Sequence, residues 1–283
     1  MSRPDLTLVY GPLPDQVVDV RLPATSSAPA SPSLVVVVHG GFWKAEWDRS
    51  HAGDQSAALA AAGYVVATVE YRRVSRSGDG WPATFDDVAL LVDTVPDLVA
   101  AAVPGLVAGG VRTVLVGHSA GGHLATWAAS RHRLPVTSRW HRATAAPVAV
   151  VSLAGVVDLA LADELGLGGH AARVLLGGSP AEHPHRWAQA DPATLAPVGV
   201  PVVLVHGDQD EAVPVEVSRS YLAAARGFGA AGAGGAAGAG AASVGGAAVA
   251  LHELAGVDHM ALVDPTSSAW PAVVSAVALA AVG

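Results

Sequence analysis

Residues 34–38 read Leu-Val-Val-Val-Val, five apolar positions in a row with four β-branched side chains. So short a run without polar alternation fits a strand covered on both faces, as in a parallel sheet between helix layers. Comparable runs recur at 64–69, 112–116, 147–153, 200–205 and 248–254. Between or after them lie helix-length stretches at 50–62, 82–99, 120–131, 215–226 and 267–282. Strands alternating with helices at this spacing predict βαβ units. Two alternating segments, 6–10 and 17–22, come first and predict an antiparallel hairpin at one edge. The expected fold is therefore α/β, with a mostly parallel sheet of about eight strands flanked by helices. The whole chain, 1–283, reads as one domain. The segment 157–197, irregular and containing Gly, Pro and His, predicts a small cap. The Gly/Ala-rich stretch 227–247 predicts a flexible insertion.

About half of the 283 residues are apolar, enough for a large core. The net charge is −8 and no basic stripe is present, which argues against nucleic acid as a partner. The absence of Cys excludes disulfides, thiolate metal sites and a Cys nucleophile. The first ten residues contain Pro4 and Asp5 and lack an apolar stretch, so no secretory signal is read there and a cytoplasmic location is expected. Residues 227–251 carry no charge, but Gly and Ala bury too little surface for a membrane span. The sequence does not set an oligomeric state.

Chemistry-bearing residues gather just past the ends of the apolar runs. In open α/β sheets that edge is where sites form. After 112–116 comes Gly117-His118-Ser119-Ala120-Gly121, a G-x-S-x-G pattern at a strand-to-helix turn. Small residues on either side of the Ser let strand and helix approach, and the helix start favours a negative oxygen. After 34–38 comes His39-Gly40-Gly41-Phe42-Trp43. A Gly-Gly loop can turn its N–H groups toward developing negative charge. Gly41 and Phe42, with Ala120, are the expected oxyanion donors, and His39 is expected to hold the loop.

A Ser hydroxyl needs a His to take its proton, and the His needs an acid to fix its tautomer. In this kind of fold the order along the chain is Ser, acid, His. After 200–205 the candidates are Asp208, Asp210 and Glu211. Asp210 is preferred because it lies far enough past the strand end for its loop to reach back, and Asp208 is its rival. After the last apolar run His259 is the well-placed His; His252 lies inside the run. Trp43, Trp81 and His118 are the expected substrate-binding residues, and Phe42 and Trp47 are further candidates for an aryl-binding face. His170, His183 and His185 lie in the irregular segment without a ligand-bearing framework, so no metal is expected. The chemistry requires no cofactor.

These motifs resemble those of α/β-hydrolases of the esterase/lipase and arylformamidase branch. His39-Gly40-Gly41-Phe42-Trp43 is similar to that branch's H-G-G-[YFG]-W motif. Residues 117–124 resemble its G-H-S-A-G-[GA]-H-L elbow. His206-Gly207, Asp210, Val213 and Pro214 match H-G-x-x-D-x-x-V-P, and this resemblance also selects Asp210 over Asp208. Asp258-His259-Met260 with Asp264 resembles the histidine loop of kynurenine formamidases. The likeness spans about 34–282. Departures are Glu70 where Asp is usual before Tyr71-Arg72, Met260 where an aromatic is usual, and the Gly/Ala insertion. The resemblance implies a Ser119–His259–Asp210 triad acting on a small-molecule ester or formamide. An esterase for small or medium acyl groups is the leading expectation, and an arylformamidase the alternative. A non-catalytic binding protein of this fold is expected to lack a triad member, whereas all three are present.

Overall fold

The computed structural model describes residues 3–24, 33–74, 80–103, 112–145, 148–230, 242–244 and 247–282. Its strands are β1 (Leu6–Val9), β2 (Val17–Arg21), β3 (Leu34–Val38), β4 (Val65–Val69), β5 (Thr113–His118), β6 (Val148–Leu153), β7 (Val202–Gly207), β8 (Ala242–Val244) and β9 (Ala247–Leu254). Among the described residues they form one nine-stranded sheet in the order β1-β2-β4-β3-β5-β6-β7-β9-β8. The edge hairpin β1-β2 is antiparallel, as is the β2-β4 pair. The pairs from β4 across to β9 are parallel.

β8 is the strand beyond the eight expected. It pairs antiparallel with β9 and lies within the stretch read as a flexible insertion. The start of that stretch also departs from the reading, because helix α8 (Glu216–Ala230) continues through it. Residues 231–241 and 245–246 lie outside the described residues.

Every residue of β3, β4, β5, β6 and β7 is buried, as the unbroken apolar runs require. One face carries Val36, Val38, Leu115, Val150 and Leu204. Phe85 and Leu91 of α2 (Ala83–Ala102) and Leu124 of α3 (Ala120–Ala129) pack there. The other face carries Val35, Val37, Val114, Val116, Val151 and Val205. It is covered by Leu59 of α1 (Gly53–Ala61) and by Val273 and Val277 of α9 (Trp270–Val282). Each such side chain contributes about 1.5–3 kcal/mol by leaving water.

The 157–197 segment is more regular than its sequence suggests. It folds as α4 (Leu159–Glu164), α5 (Leu167–Leu176, with a left-handed stretch at Gly168, Gly169 and His170), α6 (Pro184–Ala190) and α7 (Pro192–Leu195) between β6 and β7. Asp158 caps α4 by accepting from the Leu161 N–H, and Asp191 caps α7 through the Ala193 N–H. Pro184 and Pro192 open their helices, where a missing N–H costs nothing. Asp158, Asp191 and the two prolines thus stand at helix starts within a segment whose Gly, Pro and His content reads as irregular.

The register aligns the strand ends that carry the polar clusters. Val38 lies opposite Gly117, and Gly117 opposite Ser152. Leu153 lies opposite Val205, and Gly207 opposite Leu254. The loops after β3, β5, β7 and β9 therefore leave the same edge of the sheet.

Candidate active site

Ser119 stands between β5 and α3 with φ 55° and ψ −118°. An L-residue held there stores about 1–3 kcal/mol of strain, so its surroundings must fix it. The Ser119 N–H donates to the Leu153 carbonyl at 2.9 Å, and its own carbonyl accepts from His123 and Val156 at 3.2 Å. The turn closes only because its neighbours lack side chains. A Cβ on Gly117 would meet the Gly121 carbonyl oxygen at 2.1 Å, and one on Gly121 the Val38 oxygen at 2.0 Å.

Asp210 and His259 meet across the ends of β7 and β9. His259 Nδ1 lies 2.6 Å from Asp210 Oδ2. The other carboxylate oxygen, Oδ1, accepts the N–H groups of Ala212 and Val213 at 2.9 and 2.8 Å. His206, not singled out by sequence as a site residue, lies 3.4 Å from Oδ2. Its Nε2 donates to the Val213 carbonyl and its Nδ1 pairs with the Ser218 hydroxyl, both at 2.7 Å. Burial pushes the Asp210 carboxyl up. The hydrogen bonds from His206 and His259 and the charge of His259 outweigh that and hold it well below the usual carboxylate range. Asp208, its rival in the sequence, accepts instead from the Gly256 N–H at 2.7 Å.

His118 joins the serine turn to the histidine loop. Its Nε2 donates to the His259 carbonyl at 3.0 Å, and the two rings lie 4.4 Å apart between centroids. A carbonyl only accepts, so the proton sits on Nε2. Burial, with His259 alongside, pushes the imidazole down to about 3. His118 is thus a neutral, buried link, and not the substrate-facing group expected from sequence. No hydrogen bond joins the Ser119 hydroxyl to the His259 ring among the described residues.

The loop after β3 carries three consecutive residues at positive φ: Gly41 (111°), Phe42 (50°) and Trp43 (58°). Gly40 packs over the serine turn, where a Cβ would lie 3.2 Å from that of Ser119. Below the loop, His39 Nδ1 faces the Gly40 carbonyl at 2.8 Å and Nε2 faces Glu70 Oε1 at 2.9 Å. Tyr71 stacks on His39 at 4.5 Å and donates its hydroxyl to the His39 carbonyl. Burial pushes the Glu70 carboxyl up, but the hydrogen bond and charge of His39 bring it net below its ordinary value. The N–H groups of Gly41, Phe42 and Ala120 have no acceptor among the described residues.

The aromatic residues divide differently from expectation. Trp43 is 1% exposed and meets His123 edge-on within the core, so it offers no face to a ligand. Trp81 packs against Phe85 and Trp140. It borders a cavity of about 470 Å³ whose lining includes none of Ser119, Asp210 or His259. Trp47, in contrast, is 46% exposed and packs against Gly41, where a Cβ would fall 2.4 Å from its own. Met260, beside His259, is 47% exposed.

A mostly parallel sheet with an antiparallel edge, a serine at positive φ on a strand-to-helix turn, and an Asp–His pair past two later strands together define an α/β-hydrolase. Solved structures agree on the fold. A thermophilic esterase from the Planctomycetes species Thermogutta terrifontis, with propionate bound, superposes with a TM-score of 0.67 at 19% identity, over 97% of this chain and 92% of that one. A truncated carbohydrate esterase from gut microbiota gives 0.66 at 20% identity, over 90% and 89%. Esterase B from Lactobacillus rhamnosis, inhibited by a tributyrin phosphonate, gives 0.66 at 18% identity, over 98% and 85%. No curated protein matches the chain in sequence. The chain belongs to the BD-FAE family, whose profile matches residues 18–224. The matched span contains Ser119 and Asp210 and ends before His259. Among the described residues, no helix is long and apolar enough to cross a membrane.

Proposed function

We propose that this protein is a serine carboxylesterase for esters of small or medium acyl groups. The observation that carries the reading is the 2.6 Å contact between His259 and Asp210, on a histidine loop tied through His118 to the Ser119 turn. Asp210 holds His259 in the tautomer with its proton on Nδ1, which leaves Nε2 free to accept.

In the first step His259 Nε2 takes the Ser119 hydroxyl proton as Oγ attacks the ester carbonyl carbon. The oxyanion that forms rests on the N–H groups of Gly41, Phe42 and Ala120. One such donor is worth about 3 kcal/mol to the transition state. The tetrahedral intermediate expels the alcohol, which receives the proton from His259. Water, deprotonated by His259, then attacks the acyl-enzyme and releases the acid, restoring the Ser119 hydroxyl. The adjacent imidazole of His118 stays neutral and adds no charge to oppose His259 while that ring is protonated.

The choice of ester draws on the structural relatives: one holds propionate and another a tributyrin phosphonate. The test compares kcat/KM across aryl esters of increasing acyl length with that for N-formylkynurenine. Highest turnover on short acyl esters is expected. Activity confined to the formamide would overturn the ester reading in favour of an arylformamidase.

A further inference from the structure

Phe42 and Trp43 both hold a backbone conformation that L-residues avoid, at φ 50° and 58°. Such strain persists only where packing over-determines it. Trp43 is fixed by burial in the core. Phe42 is half-buried, and its partner comes from the cap. At Gly168 a Cβ would fall 2.6 Å from Cδ1 of the Phe42 ring and 2.8 Å from Cε1. Real Cβ atoms do not approach that closely, so the absent side chain is what lets the cap seat on this ring. Lys44 reaches across the same junction. Its Nζ lies 5.8 Å from the Phe42 ring centroid and 3.4 Å from the Gly168 carbonyl oxygen. Around Gly168 the cap chain is left-handed at Gly166, Gly168, Gly169 and His170 (φ 66°, 59°, 72° and 58°), which turns this backbone onto the ring.

We infer that Gly168 is a positioning residue for the main-chain N–H of Phe42. The cap holds one oxyanion donor in place by contact with that residue's ring. The inference rests on the oxyanion role proposed above for Phe42.

The neighbouring glycine supplies a matched control. Gly169 has a similar φ, but a Cβ there would meet nothing within 4 Å. Gly168→Ala and Gly169→Ala therefore carry comparable backbone strain, and only the first presses on Phe42. The readout is the rate constant for phosphonylation of Ser119 by a fluorophosphonate, with kcat and KM for a short-chain aryl ester. Gly168→Ala is expected to lower the phosphonylation rate and kcat about tenfold or more, because a small displacement of a catalytic group is costly, with KM little changed. Gly169→Ala is expected to stay within about twofold of the parent. Equal rates for the two variants would overturn the inference.

A second comparison covers poor folding of Gly168→Ala. In a Phe42→Ala background the clash is gone, so adding Gly168→Ala should cost no more activity or solubility than adding Gly169→Ala, which shares its backbone strain. A loss there larger than that from Gly169→Ala would also overturn the inference. Failure of the parent protein to be phosphonylated at Ser119 would instead defeat the esterase mechanism itself.

Discussion

His259 Nδ1 lies 2.6 Å from Asp210 Oδ2, while Asp208, two residues earlier, turns to the Gly256 N–H. Asp210→Asn keeps the size of the side chain but presents an amide to the ring and favours the wrong tautomer. It should lower kcat by about 10⁴-fold with a small change in KM. Asp208→Asn should leave kcat near the parent value. Steady-state kinetics on one aryl ester separates the two, and a larger loss from Asp208→Asn would reverse the assignment.

Glu70→Gln addresses the support beneath Gly40 and Gly41. The Gly40 carbonyl that faces His39 Nδ1 belongs to the same peptide group as the Gly41 N–H. Both His39 nitrogens face oxygen acceptors, the second being the Glu70 carboxylate. An amide there weakens the charge-assisted bond and frees the ring to turn. The expected result is a fall in kcat of about tenfold at nearly constant KM, reflecting a misaimed donor. An unchanged kcat would show that the loop needs no such support.

The elbow glycines should tolerate no side chain. A Cβ on Gly121 would meet the Val38 carbonyl at 2.0 Å, and that carbonyl lies in a central strand that cannot yield. Gly121→Ala should cost about 3 kcal/mol or more of stability, read as a lowered urea midpoint or as insoluble protein.

Acid should destabilise the fold through two buried histidines. Burial pushes His118 down to about 3 and His123 to about 4, against about 6.5 in the unfolded chain. Both therefore bind protons more readily when unfolded. Their contribution is complete above about pH 6.5 and is lost as pH falls through 4 and toward 3. Asp191, pushed up to about 6 by burial, acts in the opposite sense between about pH 4 and 6. The comparison of variant with parent is therefore the informative one. His118→Gln keeps a donor for the His259 carbonyl but does not titrate. Its urea midpoint should fall less steeply between pH 7 and 4 than that of the parent.

Much of the fold was legible in the sequence because burial on both faces demands unbroken apolar runs. Leu34–Val38 has the bounds its valines suggest. The segment 157–197 was less legible, since α4, α6 and α7 begin at Asp158, Pro184 and Pro192, residue types that also suit turns, while Gly168 and Gly169 are as irregular as they read. Within the site, the spacing of motifs past strand ends pointed to Ser119, Asp210 and His259, but pattern alone cannot show a contact between distant loops. The aromatic residues were harder. Nothing in the string Phe42-Trp43-Lys44 tells which ring faces the core, because three residues of positive φ, 41 to 43, reverse the usual alternation. His206 and Glu70 escaped notice as partners of Asp210 and His39 for a related reason. Each lies at or just past a strand end, and its partner comes from a residue that only the folded sheet brings near.

A fluorophosphonate probe shows whether Ser119 Oγ is the nucleophile. One adduct is expected, mapped by peptide mass spectrometry to Ser119, with no labelling of Ser119→Ala. Labelling of that variant at the parent rate, or an adduct on another residue, would contradict that role.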